Sequence, residues 1–155
     1  MTELQQTVST WLQAAGSAAG IDLSLDEDGH CNVVFGNNLQ CMVEVPDYGE
    51  LFFLYTPLIT LPEDPKARCT LLEKALELNL FSLATGGSSV SFDSRADTVV
   101  LSFAQQIGAV DEQFFKDALG DFLDLAIDLH AKLHEEPVPA AQPEQGGLAM
   151  LGMRV

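Results

Sequence analysis

The chain has 155 residues, of which 47% are hydrophobic and 19% are charged. This is the length of one domain with ample material for a core, which excludes a chain that is disordered throughout. No apolar run approaches the ~18 residues that span a bilayer, and the residues after Met1 lack the basic and apolar segments of a secretory signal. We therefore expect neither a membrane span nor a signal peptide.

The charge is strongly acidic and unevenly distributed. Seven basic residues stand against 23 acidic ones, which gives a net charge of −16. All the Lys and Arg residues lie from Lys66 onward, whereas the charged residues of the first 65 positions are all Asp or Glu. Such a surface repels phosphate backbones and anionic lipids, so nucleic acid and membrane are poor partners. A basic or amphipathic polypeptide fits better, and the alternative that the charge only maintains solubility stays open.

The first predicted element is an amphipathic helix. Thr2 and Gln5 have the spacing of a capping box, and helical periodicity follows in Leu4, Val8, Trp11, Leu12 and Ala15. Residues 21–25 then alternate between apolar and acidic or polar side chains, which predicts a short strand, and Asp28-Gly29 predicts a tight turn.

Residues 30–35, 39–45 and 51–59 are predicted to form three strands. The phases that contain Cys31 and Cys41 are the core-facing ones, since the opposite phases hold most of the polar residues. Val34 and Met42 nevertheless lie in these polar phases. In residues 51–55 the side chains of both alternating phases are apolar. One surface of the sheet is therefore more apolar than a free monomer requires, unless a helix or a second subunit covers it.

The second half of the chain begins with a helix that Asp64 caps and Pro65 opens. Its leucines run to about Leu83 and surround more than one face, which predicts a helix buried on two sides. Residues 88–93 and 98–103 are predicted to form a hairpin. Adjacent strands in a chain of this kind favour an antiparallel sheet and an α+β fold.

The last predicted helix is capped by Asp111 and carries an acidic outer face formed by Asp117, Asp121, Asp124 and Asp128. Residues 1–134 are predicted to form the domain, and residues 135–155 a Pro- and Gly-rich tail. The tail ends in a small apolar cluster that could dock elsewhere, formed by Leu148, Met150, Leu151 and Met153.

The sequence contains few residues in patterns typical of catalytic sites. His130 and His134 share a helical face but have no third ligand at a recognisable spacing, and Asp26-Glu27-Asp28-Gly29 lacks the rest of a calcium loop. No nucleophile motif is present. The three cysteines, Cys31, Cys41 and Cys69, are odd in number and widely spaced, which predicts buried reduced thiols. We therefore predict a binding protein without a metal, another cofactor or enzymatic activity.

An ordered set of core patterns resembles a known family. It comprises Asp28-Gly29, Val45-Pro46-x-x-Gly49, Leu71-Leu72 to Asn79-Leu80, Thr85-Gly86-Gly87, the hairpin, and Asp111 followed by Phe114-Phe115 and Phe122-Leu123. This set, with the size and acidity of the chain, resembles the class I type III secretion chaperones of Gram-negative bacteria, which include the chaperone of the translocated intimin receptor. The resemblance covers about residues 2–134.

The resemblance implies a cytoplasmic homodimer with the order helix, three strands, helix, two strands, helix. Such a dimer holds the N-terminal region of one or a few effectors extended and ready for export, and the secretion apparatus is a further candidate partner. Applied to this sequence, it implies an effector-binding surface made of Leu4, Val8, Trp11, Leu12, Val34, Met42, Phe52 and Leu54. It also implies a dimer interface made of Leu72, Leu76, Leu80, Val90 and Phe92.

Two alternatives use the same sequence differently. A protein of the same fold could sequester a regulator of the secretion genes, and a small metal-dependent enzyme could be built on His130 and His134. The identity of the bound polypeptide separates the first alternative from the chaperone, and metal analysis of the purified protein tests the second.

Overall fold

A computed structural model describes residues 1–80 and 85–135. The helices are α1 (Glu3–Ala19), α2 (Pro65–Glu77) and α3 (Glu112–His134). The strands are β1 (His30–Phe35), β2 (Leu39–Glu44), β3 (Leu51–Thr60), β4 (Ser89–Asp93) and β5 (Thr98–Gln106), and a 3-10 turn at Ile107–Ala109 precedes α3. The order helix, three strands, helix, two strands, helix is the one that the family resemblance implies.

Each helix begins at the residue that the sequence indicates. Thr2 and Gln5 form a complete capping box at α1, with both reciprocal hydrogen bonds present. The side chain of Asp64 accepts a hydrogen bond from the Ala67 amide at α2, and that of Asp111 accepts one from Phe114 at α3. These caps satisfy backbone N–H groups that have no partner within the helix, so they fix where each helix starts.

The five strands form one antiparallel sheet in the order β1-β2-β3-β5-β4. Helices α1 and α3 cover one face of this sheet. The ring of Phe115 from α3 lies 5.1 Å from that of Phe52 in β3 and 5.7 Å from that of Trp11 in α1. The core therefore sits between β3 and the two helices, and it leaves the opposite face of the sheet without a covering helix from the described residues.

A buried glutamine ties α1 to the sheet. The Gln5 side chain accepts a hydrogen bond from the Thr2 amide and donates to the carbonyl of Val45 (2.9 Å) and to the carboxylate of Asp47 (3.0 Å). The Val45 amide in turn donates to the carbonyl of Gly29 at 2.9 Å. The cap of α1, the end of β2 and the turn before β1 thus meet at one side chain that is wholly buried.

Three details differ from the sequence prediction. Residues 21–25 do not form a strand: Leu23 and Leu25 are buried, but the Leu25 amide donates to the hydroxyl of Ser9 in α1 and pairs with no strand. Helix α2 ends at Glu77, earlier than predicted, and Leu83 lies outside the described residues. Cys31 and Cys41 are buried free thiols as predicted, whereas Cys69 is exposed.

In the single chain α2 is buried on one side only, and the burial of its second side stays a prediction for the dimer. Only Ala75 of this helix is fully buried, and Leu76 keeps 68% of its surface exposed. Among the helices of the described residues, none combines the length and apolar character that a bilayer crossing requires. The predicted tail from residue 136 onward lies outside the described residues.

The close packing of Gly29 against Gln5 and Val45 can be tested by substitution. Gly29 has φ +80°, and a Cβ at this position would collide with the Val45 carbonyl and the Gln5 amide. We expect Gly29→Ala to lower the free energy of unfolding by about 1–3 kcal/mol, because it adds both backbone strain and a clash.

Gly49→Ala is the matched control, since a Cβ there would first meet Pro46 at 3.7 Å, an ordinary contact. Urea unfolding at one fixed protein concentration measures both variants. Equal stability of the two would contradict the close packing described at Gly29.

Candidate polypeptide-binding surfaces

The uncovered side of the sheet carries an apolar strip, which we call the open sheet face: Val34, Met42, Leu51, Phe53 and Tyr55. Met42 lies opposite Asn32 on one side and opposite Tyr55 on the other, so the three residues form a row across three strands. Val34 is 56% exposed, and Met42, Phe53 and Tyr55 are half-buried. The strip crosses β1, β2 and β3 and offers apolar area to a partner.

Polar residues border this strip. Asn32 and Gln40 are exposed on the same face, and Glu44 lies opposite His30 on one side and Phe53 on the other. Burial raises the pKa of the Tyr55 phenol, and the nearby Glu44 carboxylate adds to the shift. Tyr55 is therefore a neutral hydrogen-bonding group at neutral pH. An apolar strip with a neutral and acidic border suits an extended segment that carries apolar and basic side chains.

A second exposed patch lies between α2 and β4, and we call it the α2–β4 patch: Leu72, Leu76, Leu80 and Phe92. Leu76 is 68% exposed, Leu80 63% and Phe92 42%, while Leu72 is half-buried. A cavity of about 80 Å³ lies between Leu72, Leu76 and Phe92, with the buried Val90 among its lining residues. The patch is rigid in outline because two contacts hold it.

The first contact is at Asn79, just after α2. Its side chain both accepts from the Val90 amide and donates to the Val90 carbonyl, each at 2.8 Å. The second is at Arg68, whose guanidinium lies 5.5 Å from the ring centre of Phe92 and donates two hydrogen bonds to Asp97. These bonds hold the pKa of the Asp97 carboxyl below its usual value.

The surface of α1 contributes less than predicted. Leu4 and Trp11 are half-buried and remain candidates for contact, whereas Val8 and Leu12 have no exposed surface. Trp11 is held by its packing on Phe115. The assignment of Val8 and Leu12 to effector binding is therefore wrong, because both face the sheet and belong to the core.

The assignment of Phe52 and Leu54 to the binding surface is also wrong. Both are fully buried, because they lie on the face of β3 that α1 and α3 cover. The exposed face belongs to Leu51, Phe53 and Tyr55, which the sequence prediction missed. Tyr55 was the available signal, since its phenol favours the wetter of two apolar phases. Likewise Val90, assigned to the dimer interface, is buried beneath the α2–β4 patch and does not lie on its surface.

The titratable residues that the sequence singles out are His130, His134 and the cysteines. Residues 1–80 and 85–135 contain no group of three or more potential metal ligands. The rings of His130 and His134 lie 4.0 Å apart, and burial, reinforced by the charge of His134, lowers the pKa of His130. Burial raises the pKa of the Cys41 thiol to about 12, so this thiol stays protonated and unreactive.

Solved structures of similar fold support the description of the scaffold. A protein in the ExsC–ExsE complex is 19% identical with a TM-score of 0.67, and the match covers 85% of this chain and 97% of that one. One in the HopA1–SchA chaperone–effector complex is 16% identical with a TM-score of 0.63, covering 84% and 98%. One in the ExoT–SpcS complex from Pseudomonas aeruginosa is 17% identical with a TM-score of 0.60, covering 83% and 98%.

At these identities the structural matches establish the fold alone. Among curated proteins, no sequence matches this chain significantly. The family comparison is more specific, because the model described as the Tir chaperone protein (CesT) family matches residues 10–130, which is most of the chain and includes β1 to β5. The protein therefore belongs to the Tir chaperone protein (CesT) family.

Proposed function

We propose that this protein is a type III secretion chaperone that binds the N-terminal region of one or a few effectors and keeps it extended, soluble and ready for export. The observation that carries the proposal is the open sheet face, an apolar strip on the CesT-family fold that no helix of the described residues covers. One of the similar structures is that of the HopA1–SchA chaperone–effector complex.

Binding is of the groove and strand type. Val34, Met42, Phe53 and Tyr55 accept apolar side chains of the effector segment, and an extended segment can pair with an edge strand of the sheet. Leu4 and Trp11 extend the contact onto α1. Because effector side chains are varied, the unbranched and polarizable Met42 suits the centre of such a surface.

The protein acts as a homodimer whose interface is the α2–β4 patch. Three observations support this part of the proposal: the exposure of Leu76, Leu80 and Phe92, the cavity that Leu76 and Phe92 line together, and the contacts of Asn79 and Arg68 that hold the patch in shape. A self-complementary apolar patch of this kind fits the isologous contact of a two-fold dimer.

The remaining parts of the proposal follow from the family. The chaperone works in the cytoplasm of a Gram-negative bacterium, and it binds without catalysing a reaction. Its acidic charge of −16 favours clients that carry basic residues near their apolar anchors. The direct experiment is co-purification from the native cytosol, with mass spectrometry of the bound polypeptides.

A secreted effector bound through its N-terminal region is the expected outcome of that experiment. Capture of a transcriptional regulator instead would favour the sequestering function. Absence of any stoichiometric polypeptide would contradict both.

The dimer interface is tested at Leu76. We expect Leu76→Asp to convert the protein to a folded monomer, because the side chain is exposed in one chain but its charge would be buried without a partner between two chains. Light scattering measures the mass and circular dichroism the fold.

Thr70→Asp is the matched control, since it places the same carboxylate on an exposed position of α2 outside the patch. It should remain dimeric. A wild-type mass of one chain, 16.7 kDa, at micromolar concentration would contradict the proposed dimer.

The effector-binding surface is tested at Met42. We expect Met42→Glu to lower stability by about 1 kcal/mol or less, since the side chain is only half-buried, and to weaken effector capture strongly. The second effect arises because the new charge would lose its water beneath the bound segment.

Gln40→Glu, on the same strand and the same face, is the control for charge alone, and it should weaken capture much less. Thermal melting and co-purification with the effector are measured on each variant. Full capture by a folded Met42→Glu protein would move the docking surface away from the open sheet face.

Salt separates the roles of charge and apolar burial. We expect added salt to slow effector association more than it weakens the final complex, because long-range attraction sets the association rate while apolar contacts hold the bound state. Stopped-flow or biosensor kinetics over a salt series measure both quantities. Loss of the complex at half-molar salt would show that charge holds the effector.

A further inference from the structure

A groove on the helix-covered side of the molecule is separate from both surfaces described above. Phe103 of β5 and Phe114, Phe122 and Leu125 of α3 line it on one side, and the turn at residues 86–88 closes it on the other. Its volume is about 490 Å³. We call it the α3 groove. Phe114 lies at the mouth of the groove and keeps 42% of its surface exposed, so an aromatic ring is available there to a ligand.

Two carboxylates stand at the rim of this apolar groove. Asp117 and Asp121 are exposed, one helical turn apart, and both line it. Asp117 accepts a hydrogen bond from Gln113 at 2.8 Å. Neither carboxylate takes part in an ion pair within residues 1–80 and 85–135. The groove is therefore shaped for a ligand that brings apolar side chains and a positive charge together.

The chain itself contains such a segment beyond the end of α3. Residues 148–155 combine the apolar side chains of Leu148, Met150, Leu151 and Met153 with Arg154. Arg154 is the single basic residue after Lys132. Its guanidinium has the geometry to bind one or both rim carboxylates, and methionine side chains adapt to irregular apolar surfaces such as that beside Phe114 and Leu125.

The distances allow this contact within one chain. At 1.5 Å per residue, about 21 Å of helix separate Asp121 from Glu135 at the end of α3. Residues 136–147 can span up to about 40 Å when extended, at about 3.3 Å per residue. The linker is thus long enough for the chain to turn back along α3 and reach the groove.

We propose that residues 148–155 dock in the α3 groove of their own chain, with Arg154 against Asp117 and Asp121. The contact goes beyond the proposed chaperone function and does not depend on it.

Methionine oxidation of the intact protein tests the proposal directly, because docking buries Met150 and Met153 and slows their reaction with peroxide. Met1, which is exposed, is the reference within the same molecule. We expect Met150 and Met153 to react more slowly than Met1. Arg154→Glu should accelerate both by roughly two- to five-fold, the factor that corresponds to a partly exposed ion pair.

Charge reversal identifies the groove. Asp117→Lys with Asp121→Lys should accelerate oxidation of Met150 and Met153 as Arg154→Glu does, and the combination of all three changes should restore slow oxidation. Asp22→Lys with Glu27→Lys carries the same change in net charge on two exposed acids outside the groove, and it should leave both rates unchanged.

Three results would overturn the proposal. Oxidation of Met150 and Met153 in the wild type as fast as that of Met1 would show that the segment does not dock. Equal acceleration by the groove variant and by the Asp22 and Glu27 control would show a general charge effect. Protection that increases with protein concentration would place the segment on another molecule. If the groove variant fails to fold, Arg154→Glu still decides, since it changes only the segment.

Discussion

The buried amide of Gln5 is the interaction on which the arrangement of the fold depends. A buried side-chain amide is unfavourable unless its donors and acceptor are satisfied, and here the partners come from the cap of α1 and from the segment that follows β2. The cap of α1, the end of β2 and the Asp47 loop meet at this residue, and the Val45 amide brings in the turn at Gly29. Closing this junction orients α1 over the sheet, and with it Trp11 and the packing on Phe115.

The position of α1 decides which sheet face is left uncovered. Because α1 and α3 together occupy the Phe52 side, Phe53 and Tyr55 are left on the side that no helix of the described residues covers. Helix α2 lies against β4 at the far end of the sheet, fixed there by Asn79. The effector surface and the dimer surface proposed above are thus spatially distinct, so a client can bind without competing with the second subunit.

Local chemistry in the sequence predicted the elements well. Thr2, Asp64 and Asp111 are capping residues whose side chains act on neighbours three positions away, so their effect can be predicted without tertiary information. The polar residues at alternate positions of β1 and β2 fixed the phase of each strand and placed Cys31, Cys41 and Val34 on the correct faces. Residues 21–25 also alternate between apolar and polar side chains. However, the Leu25 amide donates its hydrogen bond to the Ser9 hydroxyl and is not available for pairing with a strand.

The site was only partly predictable, for a physical reason. In residues 51–55 both phases are apolar, and only the packing of α1 and α3 determines which one is buried, so periodicity could not separate Phe52 from Phe53. The same holds for α2, where Leu72 and Leu76 fit a core or an interface equally well. Val34 and Met42 were correctly placed on the uncovered face because polar neighbours in their strands fixed the phase.

Each edge strand of the sheet has one outward-facing residue whose backbone groups are already bonded, Val90 on β4 and His30 on β1. In an antiparallel strand the N–H and C=O of one residue point to the same side, and Asn79 takes both from Val90, so the outer side of β4 is occupied there. On β1 the outward groups of His30 are occupied in the same way. The His30 amide donates to the Asp26 carboxylate, and the His30 carbonyl accepts from the Asp26 amide. Asn32 and Val34 are next in this outward phase. Sheet extension is therefore confined to a short stretch at each edge, Asn32 and Val34 on β1 and Phe92 on β4, which limits the polymerisation that two free edges would permit.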